Sequence, residues 1–144
     1  MWFGEGELRQ SLTQEAMRMG LKNLQFPGAL PPKSLAKEFR RSSIFVLPSH
    51  AEGVPKVTQE AAACGLPVVL HGFYEAPTVI HRTNGLVAWS DEDLIEHVGA
   101  LTEDPETRSA MGQRGAEMAK QWSWDPIAPE WENLLIRYRD QLTS

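Results

Sequence analysis

Two short runs without a polar residue, Ile44-Phe45-Val46-Leu47 and Pro67-Val68-Val69-Leu70, stand in a chain otherwise patterned at helical spacing. Unbroken apolar strands are what a parallel sheet covered on both faces requires, because neither side of such a strand meets water. Gly85-Leu86-Val87-Ala88 predicts a further strand of this kind, and Leu24-Gln25-Phe26 another, closed by Pro27-Gly28. Helices are predicted between them. Leu8, Leu12, Ala16 and Met19 recur at near-helical spacing up to a stop at Gly20. Pro31-Pro32 opens a helix carrying Leu35, Ala36 and Phe39 inward and ending near Arg41, and Pro55 opens another at its first helical position. Ser90 or Asp91 caps a helix whose inner face is Leu94, Ile95, Val98 and Leu101. Pro105 starts the next, with Met111, Met118 and Trp122 inward; Ser123 to Pro126 breaks it, and a last helix runs from about Ile127 to Tyr138. Residues 73–82, with Pro77, read as a loop. The pattern gives an α/β fold: an open parallel sheet with helices on both faces. Such a sheet does not normally begin with a scrap like Met1-Trp2-Phe3, so a strand and helix, or a whole domain, is expected upstream.

Composition narrows the partners. A chain of 144 residues is most simply one domain, long enough to bury a core without staples. Its net charge of −5 argues against a nucleic-acid backbone as partner. No apolar run approaches the ~18 residues of a membrane span, and MWFGEGELRQ lacks the basic start and apolar core of a signal peptide. Cys64 is the only cysteine, which leaves no disulfide framework or thiolate metal cluster. A cytoplasmic setting is expected.

The chemistry concentrates between the two apolar runs. In open α/β sheets ligands bind beyond the carboxyl ends of strands, and the loop from Pro48 to Pro55 is in that position. With Pro55 at the helix start, the amides of Lys56, Val57 and Thr58 point outward and, with the helix dipole, form an anion site. Lys56 opposes that dipole, and Lys56 before Glu60 is the less favourable order for a helical ion pair. A bound phosphate would compensate; the plain alternative is a solvated lysine loosely paired with Glu60. Carboxylates accept hydrogen bonds from vicinal hydroxyls, so Glu52 and Glu60 suit a sugar and a ribose, or else are two surface glutamates. Gly4-Glu5-Gly6 is not a dinucleotide fingerprint: Arg9 stands where the third glycine belongs, and Glu5 and Glu7 repel a pyrophosphate. It reads as a turn and helix start. Cys64 reads as a small core residue. His50 lies in the loop, and His71 ends a strand on the ligand side. The spacing of His71, His81 and His97 suggests no metal site. Trp122, Trp124 and Trp131 are expected to pack the closing helices against the sheet or against a further domain.

The run from Pro48 through Glu60 to Ala61, with Gly65-Leu66-Pro67-Val68-Val69, resembles the group 1 family of retaining glycosyltransferases. These have the GT-B architecture of two Rossmann-like domains. The hallmark is a glutamate, a glycine and a second glutamate eight positions after the first, matched by Glu52, Gly53 and Glu60. Gly4-Glu5-Gly6, Phe26-Pro27-Gly28, Asn84-Gly85-Leu86-Val87 and Ser123-Trp124 extend the resemblance over nearly the whole chain. It implies the C-terminal, donor-binding domain of such an enzyme, one nucleotide-sugar-binding unit over residues 1–144. The N-terminal acceptor domain and the phosphate-binding arginine and lysine would lie upstream of Met1. Glu52 would contact the transferred hexose at the reaction centre and Glu60 the ribose hydroxyls. Gly53, Val54, Pro55, Lys56 and Val57 would approach the sugar and diphosphate, and Gly28 and Leu30 would lie against the base. The donor would be a nucleotide diphosphate sugar, with no cofactor and no metal. Pro55, where many relatives have glycine, removes one backbone donor, and His71 to Arg82 departs from the usual glycine-rich run. Two rival readings are a nucleotide-sugar epimerase or isomerase, and a non-catalytic binding module. Polysaccharide or glycolipid synthesis, with peripheral membrane contact, is the commonest family context.

Overall fold

The computed structural model describes residues 1–142. They form two compact units, residues 1–38 and the chain from Phe39 onward.

In the first unit, α1 (Arg9–Arg18) ends in Met19 and Gly20, the latter left-handed at φ 69°. Of the four apolar positions expected to face inward only Ala16 is buried; Leu8, Leu12 and Met19 are exposed. The expected strand Leu24-Gln25-Phe26 does not form. A strand needs a ladder, and here the Trp2 N–H donates to the Gln25 carbonyl (2.8 Å) and the Gly4 N–H to the Gly28 carbonyl (3.3 Å) without regular pairing. Side chains hold the segment instead. Arg9 Nη2 donates to the Phe26 carbonyl at 2.8 Å, and the Glu5 carboxylate accepts from the Ala29 N–H at 3.2 Å and pairs with Arg9 at 3.5 Å. The turn into α1 falls just after Gly4-Glu5-Gly6, at Glu7 and Leu8, where the Arg9 N–H donates to the Gly6 carbonyl at 3.1 Å. The helix α2 (Pro32–Arg41) begins at the proline pair as expected.

The second unit is built on three parallel strands in the order β1 (Phe45–Leu47), β2 (Val68–His71), β3 (Gly85–Ala88). Phe45 pairs with Val68, and Val68 with Gly85. All four residues of β2 are buried; since successive side chains point to opposite faces, β2 is covered on both. Gly85 is required where it stands, because a Cβ there would collide with the Val68 carbonyl. The helix α3 (Lys56–Ala63) connects β1 to β2, a loop connects β2 to β3, and α4 (Asp91–Glu103) and α5 (Pro105–Ala119) follow β3. Val69, Leu86, Leu101 and Met111 form a core cluster, flanked by Ile44, Leu94 and Val98. Ile95, expected on the inner face of α4, is exposed. The helices α5 and α3 meet through small residues: a Cβ on Gly115 would sit 3.5 Å from the Ala62 Cβ, and one on Gly112 would strike the Gly65 carbonyl.

The Ser90 Oγ caps α4 by accepting from the Asp93 N–H, and the Asp93 carboxylate reaches back to accept from the Trp89 N–H, both at 3.1 Å. The pair differs from a capping box in that the return bond ends one residue before the N-cap. After a single 3-10 turn, Lys120–Trp122, comes α6 (Trp124–Leu142). It starts three residues earlier than Pro126 suggested, because a proline in the first helical turn gives up an N–H that has no intrahelical acceptor. Trp122 is half-buried, but Trp124 and Trp131, expected to pack inward, are exposed, as are Leu135 and Tyr138. No helix among the described residues is long and apolar enough to cross a membrane.

Candidate functional site

Parallel strands deliver their carboxyl ends to one edge, so Leu47, His71 and Ala88 open the three loops at the same end of the sheet. The first loop, residues 48–55, runs into α3. Pro55 is the N-cap, extended at φ −72° and ψ 102°, one place earlier than expected. The shift has a consequence for the amides. The Thr58 N–H donates to the Pro55 carbonyl at 3.1 Å, so it does not point outward, and the amides at the helix mouth are those of Lys56 and Val57.

A buried polar chain fixes that mouth. The Thr58 hydroxyl donates to the Pro55 carbonyl (2.7 Å) and is 3.0 Å from the Thr78 hydroxyl, whose own proton must therefore bridge the two. Asn84, fully buried, donates to the Thr78 carbonyl (2.8 Å) and accepts from the Ile80 N–H (2.7 Å). The start of α3 and the loop between β2 and β3 are one hydrogen-bonded unit. The sequence singles out the Thr58 amide and Asn84 as part of a motif but gives no sign that the Thr58, Thr78 and Asn84 side chains join, since neutral polar residues far apart in the chain give no spacing signal.

Glu52, Gly53, Val54, Lys56 and Glu60 are exposed around this mouth, while Val57 is half-buried. Lys56 and Glu60 make no ion pair with each other, so local pairing does not compensate Lys56's place against the dipole. A Cβ on Gly53 would meet nothing within 4 Å, and its φ is not left-handed. Neither packing nor backbone conformation demands glycine there; close approach by a ligand would. Across from Glu52 stands Tyr74, whose hydroxyl is buried without a hydrogen-bond partner. Burial first and the Glu52 carboxylate second push its pKa up to about 12, so the phenol stays protonated and free to donate. Tyr74 lies in the stretch where the resemblance fails, which is why its part in the site was not foreseen.

Beside these, the loop ends gather a second group. The His71 ring is fully buried, with its Nε2 3.1 Å from Asp91 Oδ1. It is oriented so that neither ring nitrogen has a hydrogen-bond partner. His50 Nε2 is 3.8 Å from the same oxygen. Phe73 stacks on His71 (4.9 Å, 16°), and Trp89 stands edge-on to Phe73 at 6.5 Å. A Cβ on Gly72 would lie 2.7 Å from the Trp89 ring, so glycine is needed for that indole to close over the β2 end. His81 and His97 lie elsewhere, their rings 5.9 Å apart. Cys64 is half-buried at the end of α3. Gly28 and Leu30 belong to the first unit; Gly28 is buried and left-handed at φ 87°, and a side chain there would run into the Glu5 carboxylate.

A parallel α/β domain with helix-mouth amides, a lysine and two exposed glutamates at its loop edge describes a class of protein that binds a phosphorylated, hydroxyl-rich ligand. The class has a family. Residues 2–118 match the glycosyl transferases group 1, and the chain belongs to that family. It is 32% identical over 143 residues to the D-inositol 3-phosphate glycosyltransferase of Segniliparus rotundus, an alignment covering 96% of this chain and 31% of that protein. Its fold is similar to that of HepE from Anabaena, solved in complex with UDP: the TM-score is 0.83 at 22% identity, over 94% of this chain and 40% of that one. It is also similar to the C-terminal domain of the group 1 glycosyl transferase LpcC from Francisella tularensis, with a TM-score of 0.71 at 21% identity, over 80% of this chain and 62% of that one. The chain spans about a third of the length of the curated relative.

Proposed function

We propose that this domain binds the nucleotide diphosphate sugar of a hexosyltransferase. The observation that carries the reading is the mouth of α3, where the Lys56 and Val57 amides and the unpaired Lys56 side chain lie between Glu52 and Glu60, and Gly53 leaves space for a ligand. The diphosphate sits on the amides and Lys56, the hexose faces Glu52 and the Tyr74 hydroxyl, and Glu60 takes the ribose hydroxyls. Transfer proceeds with retention of anomeric configuration. Its barrier is lowered chiefly by electrostatic stabilisation of the departing diphosphate, with Glu52 opposing the positive charge that develops on the sugar ring.

The chain holds the donor half of the activity. A second, acceptor-binding domain supplies the facing wall, a reading supported by the much greater length of the curated relative and by the C-terminal domain of LpcC having this fold. The 144 residues alone bind donor and transfer nothing, and they work in the cytoplasm.

Calorimetry with UDP-, GDP- and ADP-sugars on the wild-type chain and on Glu60→Ala tests the assignment. One donor is expected to bind, and to bind at least tenfold more weakly to the variant, the loss of about one charge-assisted hydrogen bond. Equal binding by both proteins removes Glu60 from the ribose; binding of none removes the donor role.

A further inference from the structure

The group formed by His50, His71 and Asp91 is not used by the sugar-donor reading. Their ligating atoms all lie within 4.8 Å of one another. We propose that they form a binding site for a divalent first-row transition metal ion of the zinc type, contrary to the expectation from histidine spacing. His71 carries the strongest mark: a fully buried imidazole whose two nitrogens have no hydrogen-bond partner is rare in a folded protein and calls for an explanation. Its Nε2 already faces the Asp91 carboxylate at 3.1 Å, and His50 Nε2 lies 3.8 Å from that oxygen. Ligands about 2.1 Å from a tetrahedral zinc are roughly 3.4 Å apart, between these two distances. The remaining edge closes by rotation of His50, whose side chain is exposed.

The surroundings suit such a site. His71 is clamped by its stack on Phe73, and the exposed His50 ring lies beside it, edge-on at 5.1 Å and 75°. Asp91 is held by the start of α4, whose Ser90 cap fixes the turn. Two imidazoles and one carboxylate select transition metals over magnesium or calcium, which take all-oxygen sets. With His50 and Asp91 on the surface, the ion has an entry path and a fourth position open to solvent. A His71 merely facing Asp91 is the rival explanation; it involves His50 in nothing and binds no ion.

The test is a titration of the untagged chain with Co2+, followed by visible absorption, then displacement by Zn2+. Expected are one saturable ion per chain with the intense bands of a tetrahedral or five-coordinate site, and a higher Tm with the ion bound. Both His50→Ala and Asp91→Asn, surface changes whose folding is checked by circular dichroism, are expected to bind at least about tenfold more weakly. His97→Ala is expected to bind as the wild type does. No saturable binding, unchanged binding in His50→Ala and Asp91→Asn, or loss in His97→Ala each overturns the proposal. None of these results bears on donor binding, which is measured without metal.

Discussion

At the scale of single residues, the two glutamates were legible because the pair and its intervening glycine are held in one continuous stretch. Tyr74, Thr78, Asn84 and Asp91 were not, because they come from loops and a helix start that approach this stretch only when the sheet forms. Tyr74 offers a separation of roles. Its hydroxyl is buried without a partner, so Tyr74→Phe removes an unsatisfied group and is expected to leave stability unchanged or raise it by up to about 1 kcal/mol in chemical denaturation. Donor affinity is expected to fall in the same variant, since the proposed function sets the phenol against the sugar. Thr58→Val breaks the hydrogen bonds to Pro55 and Thr78 within a fully buried chain. A loss of about 1–3 kcal/mol is expected, because the Thr78 hydroxyl is left without its acceptor.

Among the elements, β1, β2, β3, α3, α4 and α5 were readable because their patterns agree with what the sheet buries. The misreadings share a cause: periodicity shows that a face could be buried, not that something covers it. Leu8 and Met19 at the two ends of α1, Ile95 on α4 and Trp131 on α6 keep helical spacing and stay exposed. Leu24 to Phe26 lacks the pairing that makes three residues a strand. The caps are better placed for measurement. Ser90→Ala opens the cap of α4 and is expected to cost about 1 kcal/mol in thermal or urea unfolding. Gly112→Val forces a branched side chain against the Gly65 carbonyl where α5 crosses the end of α3. A cost of roughly 1–3 kcal/mol or more is expected from the backbone shift it demands.

For the molecule as a whole, acid is the condition that distinguishes its parts. Burial, then Arg82 and His97, hold His81 below its ordinary value of 6.5, and its Nδ1 accepts from the Val87 N–H at 3.0 Å. The unfolded chain therefore takes up a proton at a pH where the folded chain does not. Stability is fully present above about 6.5 and declines as pH falls from there towards the folded value. His81→Gln is expected to flatten that part of the curve. At lower pH Asp104 adds a second loss: its carboxylate, held below its ordinary 3.8 chiefly by the Thr107 N–H, is protonated and the α5 cap weakens. Its contribution is present above the ordinary value and lost below it. A curve flat from pH 7 to 5 in the wild type would contradict the account of His81.

The central claim is that a diphosphate rests on the mouth of α3, and amide NMR reads this directly. In a titration of the 15N-labelled chain with a nucleotide diphosphate sugar, the Lys56 and Val57 amides are expected to shift downfield and saturate together, with Gly53 following. The Thr58 amide, already committed to the Pro55 carbonyl, is expected to move least. Saturating shifts confined to other parts of the chain, with Lys56 and Val57 unmoved, would contradict the claim.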